Sequence, residues 1–227
     1  MRRTLRPLVA EFLGTFAFVF IGAGAVVVDA ARGGVLGLVG IALAHGVGIG
    51  VLITATMKIS GAHLNPAVTF ALWLTGHIAP KQAGLYVITQ LVAAAAGALA
   101  VKTLLPAMAG QALSYGVPRL ASDLSLTGAI WIEALLTFIL VSAVFGTAVS
   151  PDAPKVGGFG IGLAIFADTL VGGPLTGAAM NPARAFGPAL VANDWHGHAA
   201  YWIGPLVGAL AAAVLWGQVL LPRDGDK

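Results

Sequence analysis

Gly172-Gly173-Pro174-Leu175-Thr176-Gly177-Ala178-Ala179-Met180-Asn181-Pro182-Ala183-Arg184-Ala185-Phe186-Gly187-Pro188-Ala189-Leu190-Val191-Ala192 is the stretch that decides the fold. It is apolar yet punctuated by Gly and Pro, so it reads as a loop that dips into a membrane and becomes a short helix at Asn181. Asn is a strong N-cap, and Pro182 stands at the first helical position, where a missing N–H does no harm. The pattern occurs earlier as well, in Ser60-Gly61-Ala62-His63-Leu64-Asn65-Pro66-Ala67-Val68-Thr69. One Asn-Pro-Ala is a weak signal. Two copies, each inside its own hydrophobic half, indicate an internal repeat.

Composition agrees with a membrane setting. The 227 residues are 58% hydrophobic and 9% charged, against about 25% charged in soluble domains. No polar stretch is long enough for a soluble domain, and the net charge of +3 is small. The basic residues sit at loop ends rather than on one face, which argues against nucleic acid as a partner. The absence of Cys excludes disulfides and thiol chemistry. Met1 to Arg6 followed by apolar residues could be read as a signal peptide. The apolar segment is too long for one and contains Glu11, so it is taken as an uncleaved first span.

A spanning helix needs about 20 apolar residues. Six segments qualify, at about 8–28, 35–57, 82–105, 128–149, 157–172 and 200–221. The dipping loops with their half-helices fall at about 58–75 and 173–192. The expected fold is an all-α membrane protein, a single channel domain over 1–227 with repeats at about 7–105 and 128–221. Glu11-Phe12-Leu13-Gly14-Thr15-Phe16 is echoed by Glu133-Ala134-Leu135-Leu136-Thr137-Phe138, and Tyr86-Val87-Ile88 by Tyr201-Trp202-Ile203. Three spans per repeat is an odd number, so the second half enters from the opposite side as an inverted repeat. The two half-helices then meet N-terminus to N-terminus near the midplane.

Charge sets the orientation. With the N-terminus inside, Arg2, Arg3, Arg6, Lys58, Lys81, Lys155, Arg223 and Lys227 are cytoplasmic, against Arg32, Lys102 and Arg119 outside. That asymmetry predicts both termini in the cytoplasm, and the expected location is the plasma (inner) membrane. Gly46/Gly50, Gly158/Gly162 and Gly204/Gly208 suit close helix crossings.

Irregular backbone at membrane depth requires protein or a wet cavity around it. The carbonyls of Gly61 to Leu64 and of Thr176 to Ala179 are therefore expected to form a ladder of acceptors. Asn65 and Asn181 are expected to cap the half-helices and aim amide N–H groups into the lumen. Each half-helix N-terminus carries roughly half a positive charge, and two facing one point repel cations. Arg184 adds a full charge, which is costly in a membrane unless it faces water or a partner. Glu11 and Glu133 occupy equivalent places and are read as braces for the loops, with a proton relay as the competing reading. Gln90 is expected to pack its span against a loop. Asp168 is read as a further brace, and His63 as a pore-lining donor to a carbonyl. His196 and His198, alone in an outer loop, do not make a metal site.

With these residues in place, the chain resembles the aquaporins along nearly its whole length. Gly172 to Pro188 and Tyr201-Trp202-Ile203-Gly204-Pro205 are similar to the plant tonoplast intrinsic proteins and the ammonia-permeable animal members. The resemblance implies a homotetramer in the lipid bilayer, one pore per subunit, no reaction and no cofactor. It places the outer constriction at His45, Thr169, Ala178 and Arg184. Strict bacterial water channels have an aromatic and a His where this chain has His45 and Thr169, which puts narrow water-only selectivity in doubt. Glycerol facilitators carry Asp after the Arg, and here it is Ala185. The expected function is passive passage of water and small neutral solutes such as ammonia or hydrogen peroxide, with ions and protons excluded. A secondary transporter and a glycerol or urea facilitator are the alternatives. The central residues are two neutral Asn, where a proton-coupled transporter would need titratable groups.

Overall fold

The computed structural model describes residues 2–105 and 114–222. Among the described residues eight α-helices follow in order: α1 (Arg2–Ala31), α2 (Gly37–Ser60), α3 (Pro66–Leu74), α4 (Pro80–Leu104), α5 (Leu126–Val144), α6 (Phe159–Thr176), α7 (Pro182–Ala192) and α8 (Ala200–Leu215). Six of the described helices are long and apolar enough to cross a membrane, and α3 and α7 are the two half-helices. The fourth and sixth spans end in wider π-helical turns, Phe145–Val149 and Trp216–Leu220. Those turns lie side by side, with the Phe145 and Trp216 rings stacked at 6.1 Å.

Helix ends follow from local chemistry. Gly61 and Gly177 take left-handed φ values of 87° and 81° and stop α2 and α6. Asn65 and Asn181 then start α3 and α7 with their side-chain oxygens. Both loop boundaries fall later than expected: α2 continues to Ser60, so the first dipping loop begins at Gly61 rather than at residue 58. Gly172, Gly173 and Pro174 are helical, and α6 continues to Thr176, so the second dipping loop begins at Gly177 rather than at residue 173. Gly and Pro break helices less readily in a membrane, where the backbone has no water to turn to and neighbours satisfy freed groups. Here Ala121 N donates to the Leu175 carbonyl at 2.8 Å, and the Tyr201 hydroxyl to that of Thr176 at 2.7 Å.

Lipid offers helices no hydrophobic reason to associate, so close van der Waals packing must hold them. The expected Gly pairs supply it. A Cβ on Gly46 would strike the Gly162 carbonyl, and one on Gly162 would strike that of Gly46, which locks α2 to α6. Gly208 faces the Ala134 carbonyl between α8 and α5, and Gly97 faces that of Phe16 between α4 and α1. The main apolar cluster joins both halves around the loop tips Leu64 and Met180, with Phe18, Ile49, Leu140 and Ile165.

Candidate functional site

Each dipping loop hangs from one buried carboxylate. Glu11, fully buried on α1, receives four donors: Ser60 Oγ at 2.7 Å, His63 N at 2.9 Å, Leu64 N at 2.8 Å and Gln90 Nε2 at 2.8 Å. Glu133, fully buried on α5, receives three: Thr176 Oγ1 at 2.6 Å, Ala179 N at 2.9 Å and Met180 N at 2.7 Å. A tyrosine completes each anchor, with Tyr86 donating to the Ser60 carbonyl and Tyr201 to that of Thr176. The repeat is therefore kept at the level of single hydrogen bonds. Gln90 alone lacks a counterpart, because Pro205 stands at its place in α8.

The loop backbone explains why two adjacent N–H groups reach one carboxylate. Ala62 and Leu64, and likewise Ala178 and Met180, have φ between 45° and 51°. Alternating right- and left-handed residues turn successive N–H groups to one side as an anion-binding nest. The carbonyls then face the other way. Each such non-Gly residue costs roughly 1–2 kcal/mol, and the charge-assisted bonds to the Glu offset it.

At the centre the halves interlock. Asn65 Oδ1 accepts from Ala67 N at 2.8 Å while Nδ2 donates to the Met180 carbonyl at 2.9 Å. Asn181 Oδ1 accepts from Ala183 N and Arg184 N, and its Nδ2 donates to the Leu64 carbonyl at 2.9 Å. The expected caps are present at Pro66-Ala67 and Pro182-Ala183. The amides differ from expectation: one N–H of each crosses to the opposite loop, leaving the second for the cavity wall. The acceptor ladder is also shorter than expected, since the Leu64 and Thr176 carbonyls are taken. Among the described residues, no protein donor reaches the carbonyls of Gly61, Ala62, His63, Gly177, Ala178 or Ala179.

Two cavities adjoin one another at a single shared lining residue. The inner one, about 310 Å³, is lined by His63, Asn65, His77, Ala178 and Asn181 among others. The outer one, about 250 Å³, is lined by Thr169, Gly177, Arg119 and Arg184. His45 is common to both, so the waist lies at its ring. His45 Nδ1 bonds the Ile41 carbonyl at 2.9 Å and Thr169 Oγ1 donates to that of Ile165 at 2.7 Å. Thr169 therefore spends its hydroxyl hydrogen on its own helix, and the second ring nitrogen of His45 lies against Gly22 with no hydrogen-bond partner among the described residues. Of the four residues implied by the resemblance, His45 borders both cavities, Thr169 and Arg184 line the outer one and Ala178 the inner one.

Arg184 is only 3% exposed and donates through Nη1 to the Gly116 carbonyl at 2.8 Å. Gly116 belongs to a single turn, Ser114–Gly116, in which all three residues are left-handed, with φ of 47°, 53° and 83°. Its Cα lies so close to Ala23 that a Cβ would collide with the α1 backbone. The Ser114 hydroxyl beside Asp194 holds that carboxyl below the usual range, and Arg119 adds to the effect.

Other expectations fare differently. His63 bonds the Thr69 hydroxyl at 3.1 Å rather than a carbonyl, and it packs edge-on against Tyr86. Gln90 reaches the loop only through Glu11 and Thr69. Asp168 braces no loop: its Oδ2 is buried without a partner. The Ser60 and Thr176 hydroxyls and the turn at Gly116 join the site without having been singled out by sequence. The echo of Tyr86 in Tyr201 is visible in the sequence and is itself a signal for their shared role.

Comparison with known proteins follows the same lines. The family profile described as Major intrinsic protein matches residues 2–216. Aquaporin TIP4-4 of Zea mays is 41% identical, covering 98% of this chain and 90% of its own length. Aquaporin TIP4-1 of Arabidopsis thaliana is 44% identical, with coverage of 96% and 88%. The X-ray structure of the aquaglyceroporin from Plasmodium falciparum superposes with a TM-score of 0.82 at 26% identity, covering 95% of this chain and 96% of that one. The relatives are tonoplast aquaporins, so the plasma (inner) membrane expected above gains no support from them.

Proposed function

The chain belongs to the major intrinsic protein family, the aquaporin channels, and from that premise we propose that it conducts water passively, passes small neutral solutes such as ammonia or hydrogen peroxide, and excludes ions and protons. It is an integral, multi-pass membrane protein and not an enzyme. The observation that carries the reading is the reciprocal pairing of Asn65 with Met180 and of Asn181 with Leu64. It brings two half-helix N-termini to one point of a continuous cavity wall. A water molecule there accepts from the free Asn N–H groups and donates to the open loop carbonyls on either side. The positive ends of α3 and α7, with Arg184, raise the energy of a cation or of an excess proton at that point.

The same reading treats 1–227 as one channel domain with repeats at about 7–105 and 128–221, both termini cytoplasmic, assembled as a homotetramer. Asn65-Pro66-Ala67 and Asn181-Pro182-Ala183 form the centre, and His45, Thr169, Ala178 and Arg184 the filter. Glu11, Glu133 and Gln90 brace the loops, and His63 lines the path. Stopped-flow light scattering on proteoliposomes tests it, with water, ammonia, peroxide, urea and glycerol compared in one preparation. Raised water permeability without proton or ion current is the expected result. Current that rises with water flux would overturn the electrostatic barrier, and saturable, proton-dependent uptake would favour a transporter.

A further inference from the structure

Arg184 needs a fixed position to define the waist, yet among the described residues its one hydrogen bond from the guanidinium goes to a loop carbonyl, that of Gly116. That carbonyl is carried by a turn whose two non-Gly residues, Ser114 and Tyr115, are left-handed. Such a turn relaxes unless its surroundings hold it. Besides the packing of Gly116 on Ala23, four contacts are available. The Ser114 hydroxyl donates to Asp194 Oδ2 at 2.8 Å. Arg119 Nη2 donates both to Ser114 Oγ at 2.6 Å and to Asp194 Oδ2 at 3.2 Å. Lys102 Nζ sits 5.2 Å from the centre of the Tyr115 ring. Asp194 comes from the segment just after α7, the helix that carries Arg184. Asp194, Ser114 and Arg119 therefore tie both flanks of the Arg184–Gly116 contact together.

We propose that Asp194, with Ser114 and Arg119, is a positioning latch that sets the place of Arg184 in the outer constriction and so the size of neutral solute that passes. When the latch is released, Gly116 withdraws and the guanidinium turns to water in the outer cavity, which widens the waist. This proposal rests on the reading of Arg184 as a filter residue. The outer position matters: the latch lies in the mouth, away from the Asn-Pro-Ala centre, so it changes solute size selection and leaves the central electrostatics alone.

The experiment measures glycerol and water permeability in the same proteoliposomes for the full chain and for Asp194→Asn, Ser114→Ala, Arg119→Gln and Asp194→Glu. Deuterium exchange over residues 114–118 is read alongside. The first three variants should raise the glycerol-to-water ratio by roughly twofold to fivefold, the range that loss of one partly exposed ion-pair contact gives. Exchange at 114–118 should quicken with it, and Asp194→Glu, which keeps the carboxylate, should stay near the parent on both. Ser114→Ala removes a single oxygen and keeps the test open if the charge variants fail to assemble. An unchanged ratio with faster exchange would show that the turn does not position Arg184. An unchanged ratio with unchanged exchange would show that the latch does not hold the turn. A parent protein without water permeability would instead count against the channel reading itself.

Discussion

Asn65 holds Met180: its Nδ2 donates to the Met180 carbonyl at 2.9 Å, across a separation of 115 residues, while its Oδ1 caps α3. Asn181 returns the contact to Leu64. One side chain thus starts a helix and joins the two halves. A carboxylate keeps the first role and loses the second, because it has no hydrogen to donate and meets a carbonyl oxygen. Asn181→Asp is expected to lower stability by about 1–3 kcal/mol and to admit cations. Ala179→Ser, two positions before Asn181 and in neither role, should behave as the parent. Thermal denaturation in detergent and conductance in planar bilayers check both statements, and equal behaviour of the two variants would reduce Asn181 to a cap.

The two carboxylate anchors differ by one donor. Gln90→Met leaves Glu11 with Ser60, His63 and Leu64, the same kinds of donor that Glu133 already manages with. The expected cost is about 1 kcal/mol, and water permeability should persist. Glu11→Gln is a different matter. Its amide must face at least one backbone N–H, leaving a buried donor unsatisfied at about 1–3 kcal/mol besides the lost charge-assisted bonds. Denaturation midpoints of the two variants, measured side by side, should fall in that order.

Close crossings make some glycines irreplaceable. Gly162→Ala drives a Cβ into the Gly46 carbonyl, which is rigid backbone. The helices α2 and α6 must part, at about 1–3 kcal/mol. Gly84 lies on an open face of α4, where a Cβ would meet nothing within 4 Å. Gly84→Ala should therefore be neutral or stabilising by up to about 1 kcal/mol. A thermal midpoint that moves equally for both would refute the packing account.

The waist can be narrowed from behind. Gly22 lies against the His45 ring, where a Cβ would come within 2.6 Å of Nε2. Gly22→Ala should push the ring toward the path and lower water permeability without touching the lining. His45→Phe with Thr169→His fills the waist directly and should lower ammonia or peroxide flux relative to water. Unchanged permeability of Gly22→Ala together with reduced stability would mean that the ring gives way toward the helices. An unchanged solute ratio in the double variant would remove His45 and Thr169 from the filter.

Much of the architecture is legible in the sequence because membrane helices need long apolar runs and because the repeat doubles every signal. Glu11 pairs with Glu133, and Asn65 with Asn181, on spacing and context alone. Gly172 to Pro174 mislead because breakers lose force where the backbone cannot turn to water. The role of Gly116 is invisible there: a glycine between Tyr115 and Val117 carries no side chain to announce a contact, and its partner Arg184 is 68 residues away. The crossed Asn contacts are hidden for a related reason, since an amide donor and a backbone carbonyl leave no residue-type signature at the acceptor.

The reciprocal contact between the Asn-headed loops also imposes an order of events during synthesis. When residues 58–75 enter the membrane, the Met180 carbonyl does not yet exist. At about 5–20 residues per second, it follows Asn65 by roughly 6–23 s. During that interval the first loop can rely only on partners from its own half, Glu11, Thr69, Tyr86 and Gln90, all of which precede residue 105. The nascent first half therefore holds within itself every donor its buried carboxylate receives, before the second half closes the path.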